Sequence, residues 1–258
     1  MAHPGRWFFT LFLCGFFLQA QPAGYPPPTH LVTIPTAGVL VRGSFSMEMR
    51  IQRNGGFSLG LNTGITDRFQ FGVSYGASHF IGDTVVGWYP RPEAAVKYRL
   101  IDETTAFPGI AIGIETQGLG AYHGESNRQR YDVKSWGLYL VGSKNWKTPL
   151  GNLGLHAGSN YSFTERADGD ADPNLFFGWD MEINPELSLL LEYNAALNEN
   201  TVTAREISLT RNGYLNGAVR WTFVDHLHVE MDFNNLLFDQ DRITSFNREM
   251  KLTYIEYF

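Results

Sequence analysis

The chain has 258 residues, a formal net charge of −6, 43% apolar residues and 18% charged residues. That balance excludes a disordered chain. The slightly negative mean hydropathy excludes a polytopic helical membrane protein but leaves room for a barrel, in which only alternate residues of each strand face lipid. The acidic charge argues against nucleic acid as a partner, because phosphate contacts need a basic patch.

At the N-terminus, Arg6 precedes the apolar run Trp7 to Leu18, and small residues follow at Ala20 and Ala23. This is the order of a secretory signal peptide, expected over residues 1–23 with cleavage after Ala20 or Ala23. The run is shorter than the roughly 20 residues of a membrane-crossing helix. The only cysteine, Cys14, lies within it, so the exported chain would hold no disulfide and no thiolate metal site. Residues 24–37 are proline-rich, with Pro26-Pro27-Pro28 at their centre, and should be extended. The simpler reading is a periplasmic tail or linker. The alternative is a segment folded into a lumen or docked to a partner.

From residue 38 to residue 258 the pattern has period two, the signature of strands. Val39 to Gln52 is the clearest run: Val39, Val41, Gly43, Phe45, Met47, Met49 and Ile51 alternate with Leu40, Arg42, Ser44, Ser46, Glu48, Arg50 and Gln52. It is longer than a globular strand of about five or six residues and exceeds the 9–11 residues of a tilted membrane strand. The same alternation returns after Asn54-Gly55-Gly56, after Thr66-Asp67-Arg68, and around Val96, Ile112, Leu155, Phe177, Leu189, Val219, Val229 and Leu252. The segment Tyr131 to Ser143 is apolar on both faces around Trp136 to Val141, and its faces stay unassigned. The expected fold is all-β: a transmembrane antiparallel up-and-down β-barrel of about 12 strands.

Turn lengths alternate as well. Tight turns fall near Asp67, Glu103, Thr148, Pro185 and Asp225, and longer connections around residues 82–92, 118–130, 165–173, 199–212 and 237–245. Short turns on one rim and long loops on the other is the asymmetry of outer-membrane barrels, with the short turns periplasmic. The predicted lumen face carries twelve candidate residues, Arg42, Glu48, Arg50, Glu93, Lys97, Arg99, Glu115, His156, Arg220, His228, Glu230 and Asp232, and further charges at Glu182, Glu192, Glu249 and Lys251. Such mixed charges pair across a narrow barrel and fill it, or set the selectivity of an open one. The end of the chain has Met250, Leu252, Tyr254 and Phe258 in alternating register, the form of a signal by which the barrel-assembly machinery engages a C-terminal strand; Glu256 departs from it.

Signs of chemistry are sparse. His156 and His228 fall on the lumen face, and Ser162 lies near His156 in sequence, but a nucleophile needs a base and an orienting third group within hydrogen-bond reach. Asp168-Gly169-Asp170-Ala171-Asp172 has the composition of a calcium loop without the spaced ligands and terminal glutamate that would complete it. No catalytic, cofactor-binding or metal residue is assigned.

Several stretches resemble YjbH-like bacterial outer-membrane proteins. They are Ile34-Pro35-Thr36-Ala37-Gly38, Gly64-Ile65-Thr66-Asp67-Arg68-Phe69, Arg91-Pro92 through Val96-Lys97-Tyr98-Arg99, Gly151-Asn152-Leu153-Gly154-Leu155-His156 and Tyr254-Ile255-Glu256-Tyr257-Phe258. The larger members of that family are much longer, and this chain has room for one barrel. The resemblance implies an outer-membrane protein associated with exopolysaccharide and polysaccharide-export proteins as partners. The expected function is a non-enzymatic scaffold or narrow passage among outer-membrane lipid, with a small-solute channel as one alternative and a membrane-embedded lipid- or polysaccharide-modifying enzyme as another.

Overall fold

The computed structural model describes residues 28–207, 210, 212–224, 226–238 and 247–257. The expected signal segment and Phe258 lie outside them.

Fifteen strands follow in chain order. They are β1 (Ser44–Gln52), β2 (Gly56–Thr66), β3 (Phe69–Ser78), β4 (Gly87–Trp88), β5 (Glu93–Ile101), β6 (Gly109–Glu115), β7 (Leu119–His123), β8 (Arg130–Val133), β9 (Gly137–Thr148), β10 (Gly151–Tyr161), β11 (Asn174–Asn184), β12 (Leu187–Asn194), β13 (Tyr214–Val224), β14 (Leu227–Asn234) and β15 (Asn247–Tyr257). A short helix, α1 (Val202–Ile207), sits between β12 and β13.

Twelve of these strands form one antiparallel ring. Each of β1, β2, β3, β5, β6 and β9 to β15 pairs with the next, and β15 returns to β1. Closure leaves the ring itself without a free edge, which a barrel in hydrocarbon requires. The tiny β4 extends β3 above the ring, and β7 and β8 form a separate hairpin. That hairpin was not foreseen: it accounts for the first part of the stretch whose faces the sequence left unassigned.

Period two sorts the side chains. On the outside, Met47, Leu61, Phe71, Val73, Leu140, Phe177, Trp221 and Met231 are exposed. On the inside, Arg50, Lys97, Glu192, Glu230, Asp232 and Lys251 are buried. This inverts the order of a soluble barrel, which would bury its apolar face.

The first strand begins later than its alternation predicts. Gly43 takes φ 73°, a left-handed conformation that glycine adopts without Cβ strain, and the chain turns there. Residues Val39 and Leu40 are 1% and 2% exposed and lie inside the ring. The described part of the proline-rich segment lies there too. For residues 28–37 this corrects the reading as a periplasmic tail or linker in favour of its alternative, a segment folded into the lumen; residues 24–27 lie outside the described residues. The physical reason is that the wall supplies a partner for the segment's backbone groups and a pocket for its aliphatic side chains.

Candidate functional site: a plugged lumen

Residues 29–36 form a tight hairpin within the ring. The Thr36 amide donates to the Thr29 carbonyl and the Leu31 amide to the Ile34 carbonyl, with a bridge between His30 and Pro35. At the tip, Leu31, Val32 and Ile34 are fully buried and pack with Trp136, Tyr139, Val141, Phe176, Leu190 and Ala218. Gly178 makes room for the tip, since a Cβ there would stand 2.6 Å from Leu31 Cδ1 and 2.9 Å from Ile34 Cδ1.

The backbone of the plug is satisfied by wall side chains. The amides of Val32, Thr33 and Ile34 converge on the Glu192 carboxylate at 2.9–3.1 Å, and the Thr33 hydroxyl donates to it as well. The carbonyls face cations. Lys251 Nζ donates to Leu31 and Val32 at 3.0 Å, Arg50 to Val32 at 2.6 Å, and Arg220 to His30 and Leu31 at 3.2 Å. Lys97 donates to Thr29 and Gly38, and the Trp136 indole to Thr33. A hydrogen bond to a charged group contributes about 1.5–3 kcal/mol, so these contacts fix the plug more firmly than its small apolar contact alone could.

The wall charges also pair among themselves. Arg50 lies 3.3 Å from Glu249 and 3.5 Å from Asp232, while Arg220 and Lys251 both contact Glu230. Strand register explains this, because Arg50 stands opposite Lys251, Lys251 opposite Glu230 and Glu230 opposite Arg220.

Of the twelve residues predicted to face the lumen, ten do. Glu48 lines cavities on both sides of the plug, Glu115 meets His30 at 3.1 Å, and Glu93 accepts from the Tyr131 hydroxyl at 3.2 Å higher up. His228 contacts the Thr222 hydroxyl. Arg42 and Arg99 are not part of the interior cluster. Arg42 precedes β1 and is exposed, its amide donating to Asp67, and Arg99 reaches Asp67 and Asp102 at the short-turn rim. Glu192, the centre of the tip's hydrogen bonds, lies on the same predicted face, as do Glu249 and Lys251, but the alternation gave no sign of its role.

His156 has a serine partner, but it is Ser143 and not the nearby Ser162. Its Nδ1 lies 2.7 Å from Ser143 Oγ and its Nε2 2.7 Å from Asp180 Oδ1. Ser143 stands opposite His156 across β9 and β10, and Asp180 lies on β11. Serine and acid on opposite ring nitrogens is the order a nucleophile needs. Here, however, Ser143 Oγ accepts the Ala37 amide at 2.8 Å, so the group anchors the returning arm of the plug.

The long-loop rim carries a second group of buried ion pairs. Arg130, fully buried, reaches Asp168 at 3.1 Å and Glu199 at 3.0 Å, and Lys134 reaches Asp168 at 2.8 Å. Burial works against the Arg130 charge, but Glu199 and neighbouring acidic groups outweigh it and raise the pKa above the ordinary arginine value. Asp170 accepts the amides of Asn200 and Thr201. The acidic stretch 168–172 thus spends Asp168 and Asp170 on the cap. Tyr131 packs edge-on against Tyr89 and Tyr122 beneath it.

Between cap and plug lies a cavity of about 90 Å³, bounded by Ser58, Ser74, Gln117 and Trp136. On the short-turn side lies a larger one of about 250 Å³, bounded by Asp180, Glu182, Arg220, His228 and Thr253. His30 of the plug and Glu48 of the wall border both.

No family model and no curated protein matches the chain. Among solved structures, it is similar to a KdgM porin at 12% identity over 82% of this chain and 98% of the other, with a TM-score of 0.45. It is similar to a NanC porin at 9% identity over 83% and 99%, with a TM-score of 0.41. The Acinetobacter baumannii outer membrane protein Omp33 matches at 11% identity over 83% and 97%, with a TM-score of 0.43. At these values no residue of this chain is matched in role to one of theirs.

Proposed function

We propose that the protein is an outer-membrane barrel acting as a narrow, non-enzymatic passage for small solutes, closed at rest by its own N-terminal hairpin. The observation that carries this reading is the plug. It is held by side chains of the wall and not by strand pairing, and its His30 borders a cavity on either side. A barrel needing only rigidity could fill its lumen with wall side chains, as small barrels do. The apolar exterior and the expected export signal support the outer membrane as its location.

Planar-bilayer recording tests the passage. The intact chain should open rarely. Replacing both Leu31 and Ile34 by serine removes the tip's apolar anchor and should raise the open fraction, because burying a side chain of this size is worth about 1.5–3 kcal/mol. Silence of both proteins, with a folded barrel confirmed, would leave a non-conducting scaffold. A place in exopolysaccharide export is supported by the sequence resemblance alone; gene deletion with exopolysaccharide yield as the readout tests it.

A further inference from the structure

Withdrawing the plug changes the charge balance of the lumen unevenly. The cations that hold the tip's carbonyls keep partners on the wall, Arg50 with Asp232 and Glu249, and Arg220 and Lys251 with Glu230. Lys97 and Glu115 lie on the paired strands β5 and β6, two positions apart in register, and compensate each other. Glu192 has no such partner. Its carboxylate is 1% exposed, and its donors are three amides and one hydroxyl of the plug together with the side-chain amide of Asn216 at 2.9 Å. Among the described residues no cation lies within ion-pair distance of it. The plug tip therefore presents to Glu192 what a small cation or an ammonium group would present, a convergent set of positive partial charges. Gly178 beside it leaves the space for that solute once Leu31 and Ile34 have gone.

We propose that the open passage selects for small cations and cationic solutes over anions, and that Glu192 is the residue that selects. The inference rests on the reading of the barrel as a passage. An uncompensated carboxylate in a narrow, low-dielectric lumen raises local cation concentration and repels anions. Salt screens the effect over about 8 Å at physiological ionic strength, so dilute salt reveals it best.

The experiment measures the reversal potential of the Leu31→Ser/Ile34→Ser protein across a potassium chloride gradient, with and without Glu192→Gln. The neutral serines add no charge of their own. A second background lacking residues 28–37 serves if the double variant does not fold. Potassium should be preferred over chloride, and the ratio should fall by about twofold or more in Glu192→Gln. Conduction without cation preference, or a preference unchanged by Glu192→Gln, would overturn the inference while leaving the passage intact. Silence of both plug-released backgrounds would overturn the passage reading, and the selectivity with it.

Discussion

The interior is decided at single residues where one atom more would not fit. At Gly178 an added Cβ would meet the Leu31 and Ile34 side chains and also the Leu191 carbonyl at 2.8 Å. The side-chain ends can yield, but the carbonyl belongs to the ring and cannot. Gly178→Ala should therefore push the plug tip outward and strain the wall locally where β11 meets β12. Overpacking of this kind costs about 1–3 kcal/mol, which corresponds to a rise of roughly fivefold to a hundredfold in the withdrawn fraction. The check is a thiol reagent acting on Thr33→Cys, with and without Gly178→Ala, in a chain whose own cysteine falls in the expected export signal. Labelling should quicken in the double variant. Equal rates would mean that the tip does not depend on the gap at Gly178.

Elements differ in how far the sequence discloses them. The ring strands were legible because period two is a local property, which assigns a residue to one face without knowledge of any partner. The plug was not legible. Val39 to Gly43 continues the alternation of β1 without a break, and what draws the segment inward is Glu192, some 160 positions away along the chain. Ser143, His156 and Asp180 meet only once the register of β9, β10 and β11 is known. Arg42 and Arg99 have the right parity but lie at strand ends, where parity no longer decides the environment. The cap of β7 and β8 was hidden for another reason: Tyr131 and Trp136 are buried under loops, so both faces read as apolar. Its charge chemistry yields a prediction. Burial raises the Glu165 pKa, against the Ser135 hydroxyl, the amides of Tyr131 and Ser135, and Arg130, all of which lower it. A raised folded-state value means that the contribution of Glu165 to stability is complete below the unfolded carboxylate pKa and is lost as pH rises through the folded one. Amide protection of Tyr131 and Ser135, corrected for intrinsic exchange, should thus decline as pH rises above the ordinary carboxylate range. Glu165→Gln should flatten that decline; a slope that persists would place the titrating group elsewhere in the cap.

At the scale of the whole molecule the ring is closed by β15, which pairs along its length with β14 on one side and β1 on the other. It also carries Lys251 and Glu249, which reach the plug and Arg50. Removing residues 247–258 would open two strand edges and free one end of the plug's cradle at the same time. In water such edges hydrogen-bond to solvent. In hydrocarbon each unsatisfied backbone group costs several kcal/mol, and an open sheet has no stable place there. The truncated chain should therefore yield no folded, membrane-inserted species. The measurement is migration before and after boiling on a denaturing gel, combined with membrane fractionation. The full chain should sediment with membranes and change mobility on boiling, whereas the truncated chain should show a single unfolded mobility. A Lys251→Met chain separates the two roles of the strand. It keeps every backbone pairing of β15 and loses the ammonium that holds the carbonyls of Leu31 and Val32, while Glu230, which that ammonium also contacts, keeps Arg220. It should keep the mobility shift of a closed barrel while its plug releases more readily in the labelling assay. A truncated chain that still inserted and shifted would mean that the ring closes without β15, and a full chain recovered in the soluble fraction would place the apolar exterior against something other than lipid.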